Sequence, residues 1–269
     1  MALNIAHRGA RSLAPENTIA AAQRALEVGA DLWETDVALT RDGYLILFHD
    51  DSLVRTTDAR ERFPGRSPWT FSSFLLEEIK TLDAGSWFVN TDPFGQIASG
   101  AVKQEQLVAF ASEKIPTVEE ALIFTQEAGF CVNLELKRLP APLEEFPVVE
   151  QVLTLIDRLK IVNERVIISS FHQPWLKEVR ERNPRIEIQA LIGYSECEPL
   201  DWGAREFKTY NARSTLISED EIRAAVRAGL TVNLFTVNEE EDMRRFLAAG
   251  VEGLITDFPQ RAARVLGKP

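Results

Sequence analysis

The sequence is poor in the features that mark secreted, disulfide-bonded and membrane proteins. It has only two cysteines, Cys131 and Cys197, and neither has a CxxC partner, so a disulfide framework is excluded. No stretch approaches the roughly 18 consecutive apolar residues of a membrane span, and the amino-terminal residues lack the pattern of a signal peptide. We therefore expect a cytoplasmic protein with no stable membrane anchor.

Basic residues are also fewer than acidic ones. The chain has 30 lysines and arginines against 41 aspartates and glutamates, a formal net charge of −11, which argues against nucleic acid or anionic lipid as a partner. Glycine-rich phosphate loops of the GxxxxGK[ST] and GxGxxG types are absent. Any phosphate that the protein binds must therefore be met by individual cationic side chains.

The pattern that is present alternates short apolar runs with segments of helical periodicity. Strands are predicted in segments such as LNIAH, FCVNLELK, RVIISSF and LTVNLFTV, and most of them are separated by helices of ten or more residues. About eight such units predict a closed (β/α)8 TIM barrel, since an open doubly wound sheet usually needs fewer strands. We expect one domain over residues 1–269, with an excursion at about 52–116 that is rich in proline, glycine and aromatic residues.

Several elements are predicted in more detail. The segments ADLWETDVALT and GYLILFHD are expected to be two strands joined by a tight turn at TRDGY. A helix is predicted over EEFPVVEQVLTLIDRLK, which begins at Glu144, and a short strand around EFKTYNA, which begins at Glu206. The excursion shows a single short helical pattern, SSFLLEEIKTL.

Acidic residues occur inside two of the predicted strands. Glu34 and Asp36 are two apart and should share one face, and Glu135 lies in another strand whose carboxyl end meets the same mouth of a barrel. Three carboxylates in one desolvated pocket repel each other unless a cation lies among them, and oxygen ligands suit Mg²⁺ or Ca²⁺ better than zinc. The alternative is that one or two of them pair with Arg8 or Lys137.

Histidine is scarce, with three residues in the chain. His7 and His49 follow strand patterns beside the acidic group, and an imidazole with a pKa of ~6.5 can exchange a proton near neutrality, which indicates general acid–base chemistry. Asp50 is interpreted as a residue that positions His49 or begins the excursion. His172 lies at a predicted helix start, where a surface or capping role is expected.

Two cations accompany these residues. Arg8 and Lys137 project from strands that carry other candidates, and a pair of cations together with a metal could hold a phosphate in an otherwise acidic protein. Ion pairing with the nearby carboxylates is the alternative role, and it is compatible with the first.

The ordered set of motifs resembles the glycerophosphodiester phosphodiesterase family. The matching segments, from the amino to the carboxyl end, are IAHRGA, APENTIAAAQRALEVGAD, WETDVALTRDGYLILFHDDSLVRTTD, LDAGSWF, IPTVEEAL, NLELK, ISSF, FTVN and GVEGLITDFP. The resemblance departs from the family pattern at Phe235, where a tryptophan is usual, and at Glu252, where an aspartate is usual.

The resemblance implies a fold, a reaction and a set of roles. It implies a (β/α)8 barrel that hydrolyses a small-molecule glycerophosphodiester to glycerol 3-phosphate and an alcohol. A divalent cation would be held by Glu34, Asp36 and Glu135, the histidines His7 and His49 would act as acid and base, and Arg8 and Lys137 would contact the phosphate. The excursion at about 52–116 corresponds to the family's inserted segment, which helps to shape substrate choice.

Two other functions are compatible with parts of the pattern. A phospholipase D-like hydrolase of lysophospholipids shares the arrangement of two histidines and a metal, but such proteins are typically secreted and disulfide-bonded. A non-catalytic phosphate-binding module on a barrel would be expected to lack at least one histidine or carboxylate, and none is missing.

Overall fold

The strands of the protein close into a barrel. The structure, a computed structural model, describes residues 2–111 and 113–268. The strands within these ranges are β1 (Leu3–Ala6), β2 (Leu32–Leu39), β3 (Leu45–Leu47), β4 (Val132–Leu136), β5 (Val166–Ser170), β6 (Glu187–Ile192), β7 (Thr209–Arg213), β8 (Thr231–Phe235) and β9 (Gly253–Thr256). All except β3 are joined as parallel neighbours, and the ring closes because β1 pairs with both β2 and β9. The predicted (β/α)8 TIM barrel is confirmed.

Helices lie between most of the strands and in the long segment that joins β3 to β4. They are α1 (Ile19–Glu27), α2 (Ala59–Arg62), α3 (Leu76–Ile79), α4 (Ser86–Thr91), α5 (Gln104–Phe110), α6 (Val118–Glu127), α7 (Val148–Leu159), α8 (Gln173–Arg182), α9 (Glu219–Arg227), α10 (Glu240–Ala249) and α11 (Pro259–Val265). A loop without a helix links β6 to β7 within the described chain. None of the helices in the described ranges combines the length and the apolar character that crossing a membrane requires.

Two elements begin later than the sequence pattern predicts. Helix α7 begins at Val148 and not at Glu144, because Pro147 has no amide hydrogen to donate and disfavours helical geometry at the residue before it. Strand β7 begins at Thr209 and not at Glu206, since its pairing with β6 and β8 starts there.

The β2–β3 hairpin has the predicted turn and places His49. The turn contains Gly43, whose φ of +85° suits glycine, and β3 then runs antiparallel to β2 with Val37 opposite Leu47. Just beyond β3, the amide of Phe48 donates to the carbonyl of Asp36 at 3.0 Å. The chain therefore returns to the level of the acidic residues just before His49.

The excursion is more helical than predicted. Four short helices, α2 to α5, lie within it, whereas the sequence shows one helical pattern. None exceeds seven residues, so their stability comes from packing and not from a periodicity that the sequence reveals. The packing is aromatic, with edge-to-face contacts between Phe63 and Phe74 and between Phe88 and Phe110.

The barrel interior holds both apolar and amide side chains. Ile5, Leu32, Ile167 and Ile255 form a small apolar cluster that is separate from the main core. Amides of β6, β7 and β8 contact one another, where Asn233 Nδ2 donates to Asn211 Oδ1 at 2.9 Å and to Gln189 Oε1 at 3.4 Å. The interior therefore contains buried polar groups as well as apolar ones.

Gly9 allows α1 to approach the end of β1, and we expect Gly9→Ala to destabilise the protein. An added Cβ would lie 2.6 Å from the Cβ of Ala21, and the φ of +77° is unfavourable for a side chain. Overpacking and the backbone conformation together should lower the free energy of unfolding by roughly 3 kcal/mol. Urea unfolding measures this change.

Gly65→Ala is the matched control for that measurement. Gly65 has a φ of +86°, but no atom lies within 4 Å of its added Cβ. Its substitution should therefore show the backbone cost alone, on the order of 1 kcal/mol. Equal losses for the two variants would contradict the steric explanation at Gly9.

Candidate active site

Three carboxylates lie together at the mouth of the barrel. Strand β2 contributes Glu34 and Asp36, and β4 contributes Glu135, which is paired in register with Asp36. Each offers one oxygen atom, and these oxygens all lie within 4.8 Å of one another. The structure thus brings together the three acidic residues that the sequence indicated.

The charge state of this acidic group is uneven. Burial, reinforced by the charges of Asp36 and Glu135, raises the pKa of Glu34 well above its ordinary value. Burial and the charge of Asp36 also raise the pKa of Glu135, to about 7. For Asp36, burial acts in the same direction, but the nearby cations Lys137 and Arg8 and the His49 imidazole outweigh it and lower the pKa. Glu34 and Glu135 therefore lack enough nearby positive charge to favour their ionised forms.

The acidic group fits a hard divalent cation. Glu34 Oε2 accepts a hydrogen bond from the amide of Arg8 at 2.9 Å, whereas Glu34 Oε1 is buried and has no hydrogen-bond partner within the described ranges. A free carboxylate oxygen in an all-oxygen donor set is what Mg²⁺ or Ca²⁺ requires. A cation would also relieve the repulsion that raises the two pKa values.

His7 lies at the end of β1 and is held by the last strand of the barrel. Its Nδ1 donates to Asp257 Oδ1 at 2.7 Å, and its Nε2 lies 4.0 Å from Glu34 Oε2. Asp257 Oδ2 in turn accepts from Asn238 Nδ2 at 2.8 Å. Burial and the charge of Arg8 lower the pKa of His7, although Asp257 opposes this effect. The ring therefore turns one nitrogen to Asp257 and the other toward the acidic group.

His49 has a similar arrangement on the other side. Its Nδ1 donates to Asp50 Oδ1 at 2.6 Å, as expected if Asp50 positions the ring. The carbonyl of His49 accepts from Lys137 Nζ at 3.0 Å, which ties the residue to the end of β4. His172 occupies the position before α8, where its Nδ1 lies 3.2 Å from Arg138 Nη2.

Arg8 and Lys137 both contact Asp36. The Nε atom of Arg8 lies 3.4 Å from Asp36 Oδ2, and Lys137 Nζ lies 3.3 Å from Asp36 Oδ1. Arg8 has a φ of +54°, which is unusual for a residue with a side chain and turns the chain so that its amide meets Glu34. The ion pairing considered for these residues is present, and both cations remain next to the acidic group.

Several residues of the site were not identified from the sequence. Asn17 donates from Nδ2 to Asp36 Oδ2 at 3.0 Å and accepts at Oδ1 from the hydroxyl of Thr35, so it orients the middle carboxylate. Glu16 and Arg55 are the others, and Asp257, a polar residue at the end of a predicted strand, makes a contact with His7 that the sequence did not indicate. The signal was present in the segments ENT, RTT and TDFP, which match the family pattern but carry no role in the sequence interpretation.

A cavity opens beside His7 and the acidic group. Its wall includes Phe171 and Phe235, and its floor includes the buried polar residues Asn133, Ser169 and Asn211. Both side-chain polar atoms of Asn133, the Ser169 hydroxyl and Asn211 Nδ2 have no hydrogen-bond partner in the described part of the chain. The volume is about 40 Å³, and a water-sized group needs roughly 10–15 Å³. The cavity can therefore accept more than one polar group.

Comparisons with known proteins indicate one family. Residues 7–261 match the model of the glycerophosphoryl diester phosphodiesterase family. A glycerophosphodiester phosphodiesterase of Caldanaerobacter subterraneus is 36% identical over 99% of this chain and 98% of its own length. One of Bacillus subtilis is 30% identical over 96% of this chain and 84% of its own length.

The solved structures agree with the sequence comparisons. A phosphodiesterase of Oleispira antarctica, determined with the product sn-glycerol-3-phosphate, has a TM-score of 0.77 at 25% identity and covers 98% of this chain and 96% of its own. A phosphodiesterase structure from Silicibacter pomeroyi has the same TM-score and identity, with 97% of this chain and 92% of its own covered. The chain therefore belongs to the glycerophosphoryl diester phosphodiesterase family and is an enzyme that hydrolyses phosphodiesters.

Proposed function

We propose that the enzyme hydrolyses glycerophosphodiesters to glycerol 3-phosphate and an alcohol, with a divalent cation and two histidines at its centre. The observation that carries this proposal is that His7 and His49 each bond Nδ1 to a carboxylate beside an acidic group of three. The product in the Oleispira antarctica structure supports the substrate class.

The cation would be held by Glu34, Asp36 and Glu135. When bound, Mg²⁺ or Ca²⁺ supplies positive charge that offsets the negative charge developing on the phosphate oxygens. Arg8 and Lys137 add further positive charge next to the cation site. Both lie within 3.4 Å of Asp36, and each contacts a different carboxylate oxygen. We propose that these two side chains orient the non-bridging oxygens of the substrate.

The histidines are proposed to move the protons. Burial raises the pKa values of Asp257 and Asp50, but their hydrogen bonds to His7 and His49 and the nearby charges of Arg11 and Arg55 outweigh it and lower them. Each carboxylate is therefore ionised and can only accept from the ring Nδ1–H. In a neutral ring the other nitrogen, Nε2, then carries the lone pair. One histidine removes a proton from the nucleophile and the other protonates the departing alcohol. The nucleophile is water, or the glycerol 2-hydroxyl with later hydrolysis of a cyclic product.

The unpartnered polar groups in the cavity are proposed to bind the glycerol hydroxyls. Ser169, Asn133 and Asn211 are each at most 1% exposed. Buried polar groups without partners are costly, and a hydroxyl that is both donor and acceptor can satisfy an amide and a serine together. The alcohol group of the substrate would then lie toward Phe171 and Phe235 in the cavity wall.

Ser169→Ala tests this placement of glycerol. We expect KM for glycerophosphocholine to rise roughly tenfold, because one hydrogen bond contributes about 1 kcal/mol or slightly more. Hydrolysis of bis(p-nitrophenyl) phosphate, which has no glycerol, should be unchanged. The melting temperature should not fall, since the serine hydroxyl has no partner within the described residues.

Ser170→Ala provides the matched control. Ser170 is the next residue of β5, and its hydroxyl donates to the carbonyl of Leu136 at 2.6 Å and accepts from the amide of His172. Its loss should lower stability and leave KM for glycerophosphocholine unchanged. If Ser169→Ala affects both substrates equally, the glycerol placement is wrong.

The activity itself is tested with a panel of substrates and added metal. We expect release of glycerol 3-phosphate from glycerophosphocholine or glycerophosphoethanolamine in the presence of Mg²⁺ or Ca²⁺. Lysophosphatidylcholine in the same panel tests the phospholipase D-like alternative, which the comparisons do not favour. Hydrolysis of the lysolipid alone would overturn the proposal.

Two further points stay predictions. We propose that residues 1–269 act as one barrel domain, which the pairing of β1 with β9 supports. The cytoplasmic location remains a prediction from the sequence.

A further inference from the structure

Glu16 is a buried carboxylate that three arginines contact at once. Its Oε1 accepts from Arg8 Nη1 at 2.9 Å and from Arg55 Nη2 at 2.7 Å, and its Oε2 accepts from Arg11 Nη2 at 2.7 Å and from Arg55 Nη1 at 3.1 Å. Burial alone would raise the pKa of Glu16, but the hydrogen bonds of Arg55 and the charges of the arginines lower it to about 2. Glu16 is therefore ionised and fixed.

Arg55 extends from Glu16 to the carboxylate that holds His49. Its Nε donates to Asp50 Oδ2 at 2.5 Å and its Nη2 lies 3.0 Å from Asp50 Oδ1, the atom that accepts from His49 Nδ1. The guanidinium thus bonds two carboxylates with a planar set of donors, a geometry that a lysine cannot reproduce. The Asp50 side chain is 27% exposed, and apart from His49 and Arg55 none of its described side-chain contacts fixes its orientation.

Arg11 extends from Glu16 to the carboxylate that holds His7. Its Nη1 lies 3.4 Å from Asp257 Oδ1, the atom that accepts from His7 Nδ1. This hydrogen bond is longer than those between Arg55 and Asp50, but the Arg11 guanidinium also stacks over the ring of Phe94, 5.3 Å from its centroid. Phe94 also packs edge to face on Phe258, the residue after Asp257.

Both arms depend on the excursion that follows the β2–β3 hairpin. Arg55 and Phe94 belong to it, and they reach opposite ends of a continuous series of contacts. We name this series the arginine–carboxylate chain, and its members in order are His7, Asp257, Arg11, Glu16, Arg55, Asp50 and His49. The excursion therefore contacts the site through residues that reach the partners of the two histidines.

We infer that Arg55 and Phe94, acting through the arginine–carboxylate chain, are positioning residues that fix the ring orientation and the tautomer of both histidines. The inference rests on the acid–base roles proposed above for its effect on turnover. It assigns to the inserted segment a task in addition to the one that the family resemblance implies. Without the segment, Asp50 loses Arg55, and Arg11 loses the ring of Phe94 beside its contact with Asp257.

The test combines kinetics with ¹⁵N NMR of the imidazole nitrogens of the full chain in Mg²⁺. With three histidines in the sequence, the spectrum is simple to assign. In the wild type, His49 should show a protonated Nδ1 and a free Nε2. In Arg55→Ala this pattern should average between tautomers, and kcat should fall roughly 10- to 100-fold, as for other residues that orient a functional group, with KM nearly unchanged.

Conservative and control variants separate positioning from a general loss of structure. Arg55→Lys should recover only part of kcat, whereas Phe94→Tyr, which keeps a ring over Arg11, should retain more activity and more of the His7 tautomer than Phe94→Ala. Arg62→Ala is the matched control, because Arg62 lies in the same excursion and pairs with Asp58 at 3.3 Å, away from the chain of contacts. Its kcat and imidazole signals should equal those of the wild type.

The outcomes distinguish this inference from the proposed function. If Arg55→Ala keeps the wild-type kcat, or loses kcat while His49 keeps its tautomer, the positioning role is wrong. If the wild type hydrolyses no glycerophosphodiester but the His49 tautomer is lost in Arg55→Ala, the proposed function fails and the positioning framework stands.

Discussion

Replacing His49 with alanine is expected to lower kcat for glycerophosphocholine by roughly two to four orders of magnitude, the contribution typical of a general acid or base. The fold should survive, because the ring is one-third exposed and its described hydrogen bond is to Asp50 alone. The backbone contact between Lys137 Nζ and the carbonyl of His49 does not need the side chain. Steady-state kinetics and the melting temperature together measure the effect.

His172→Ala is the matched control for this substitution. His172 contacts Arg138 and Trp175 at the start of α8 and should leave kcat unchanged. Wild-type turnover by His49→Ala would remove His49 from the mechanism.

A substrate with a good leaving group assigns the role of His49. Departure of p-nitrophenolate needs no proton, so the loss in His49→Ala should shrink on such an ester if His49 is the acid. An equal loss on both substrates would identify His49 as the base.

Glu34→Gln is expected to abolish the response to divalent cations while leaving the metal-free protein as stable as the wild type, or more stable. The reason is that burial and the neighbouring carboxylates disfavour the Glu34 charge in the absence of a cation, as its raised pKa shows. A ligand that binds the folded state alone stabilises it by about 2.7 kcal/mol at a concentration of 100 times Kd. The wild type should therefore melt at a higher temperature with saturating Mg²⁺ or Ca²⁺, and Glu34→Gln should not.

The kinetic result should follow the thermal one. With one ligand lost, hydrolysis of glycerophosphocholine should fall by at least about 100-fold at the metal concentration that saturates the wild type. Glu105→Gln, a change at an exposed carboxylate of α5, should behave as the wild type in both measurements. Full wild-type activity in excess chelator, or an unchanged thermal response in Glu34→Gln, would refute the metal site.

The fold could be predicted from the sequence because the patterns that indicate it lie in short stretches of neighbouring residues. Alternating apolar and helical segments indicate parallel strands and helices, and parallel strands place their carboxyl ends at one mouth. Glu34, Asp36 and Glu135 could be grouped by that rule alone. The helices of the excursion could not be predicted, since they are too short for a period and are fixed by contacts between aromatic rings such as Phe63 and Phe74.

His49 shows how a correct position can arise for a different reason. The expectation used the rule for carboxyl ends of barrel strands, but β3 is antiparallel and lies outside the closed ring. The hairpin geometry, with the amide of Phe48 bonded to the carbonyl of Asp36, is what returns the histidine to the mouth.

The partners of the histidines could not be predicted from spacing. Glu16 and Arg55 are 39 residues apart, and His7 and Asp257 are 250 apart. A hydrophobic period says which face a residue occupies but not which distant side chain it meets. The contact between His7 and Asp257 depends on closure of the whole ring, and the contact between Glu16 and Arg55 depends on the packing of the excursion against the loop after β1.

The bond between His7 and Asp257 joins the first and last strands, and this has a consequence for biosynthesis. During translation, His7 emerges 250 residues before Asp257 and has no such carboxylate partner until β9 and Asp257 have left the ribosome. Contacts of such long sequence separation also form late and slowly in folding. A nascent chain arrested before β9 would thus carry the acidic group and His49 but no oriented His7, so hydrolytic competence should appear abruptly, with the final strand.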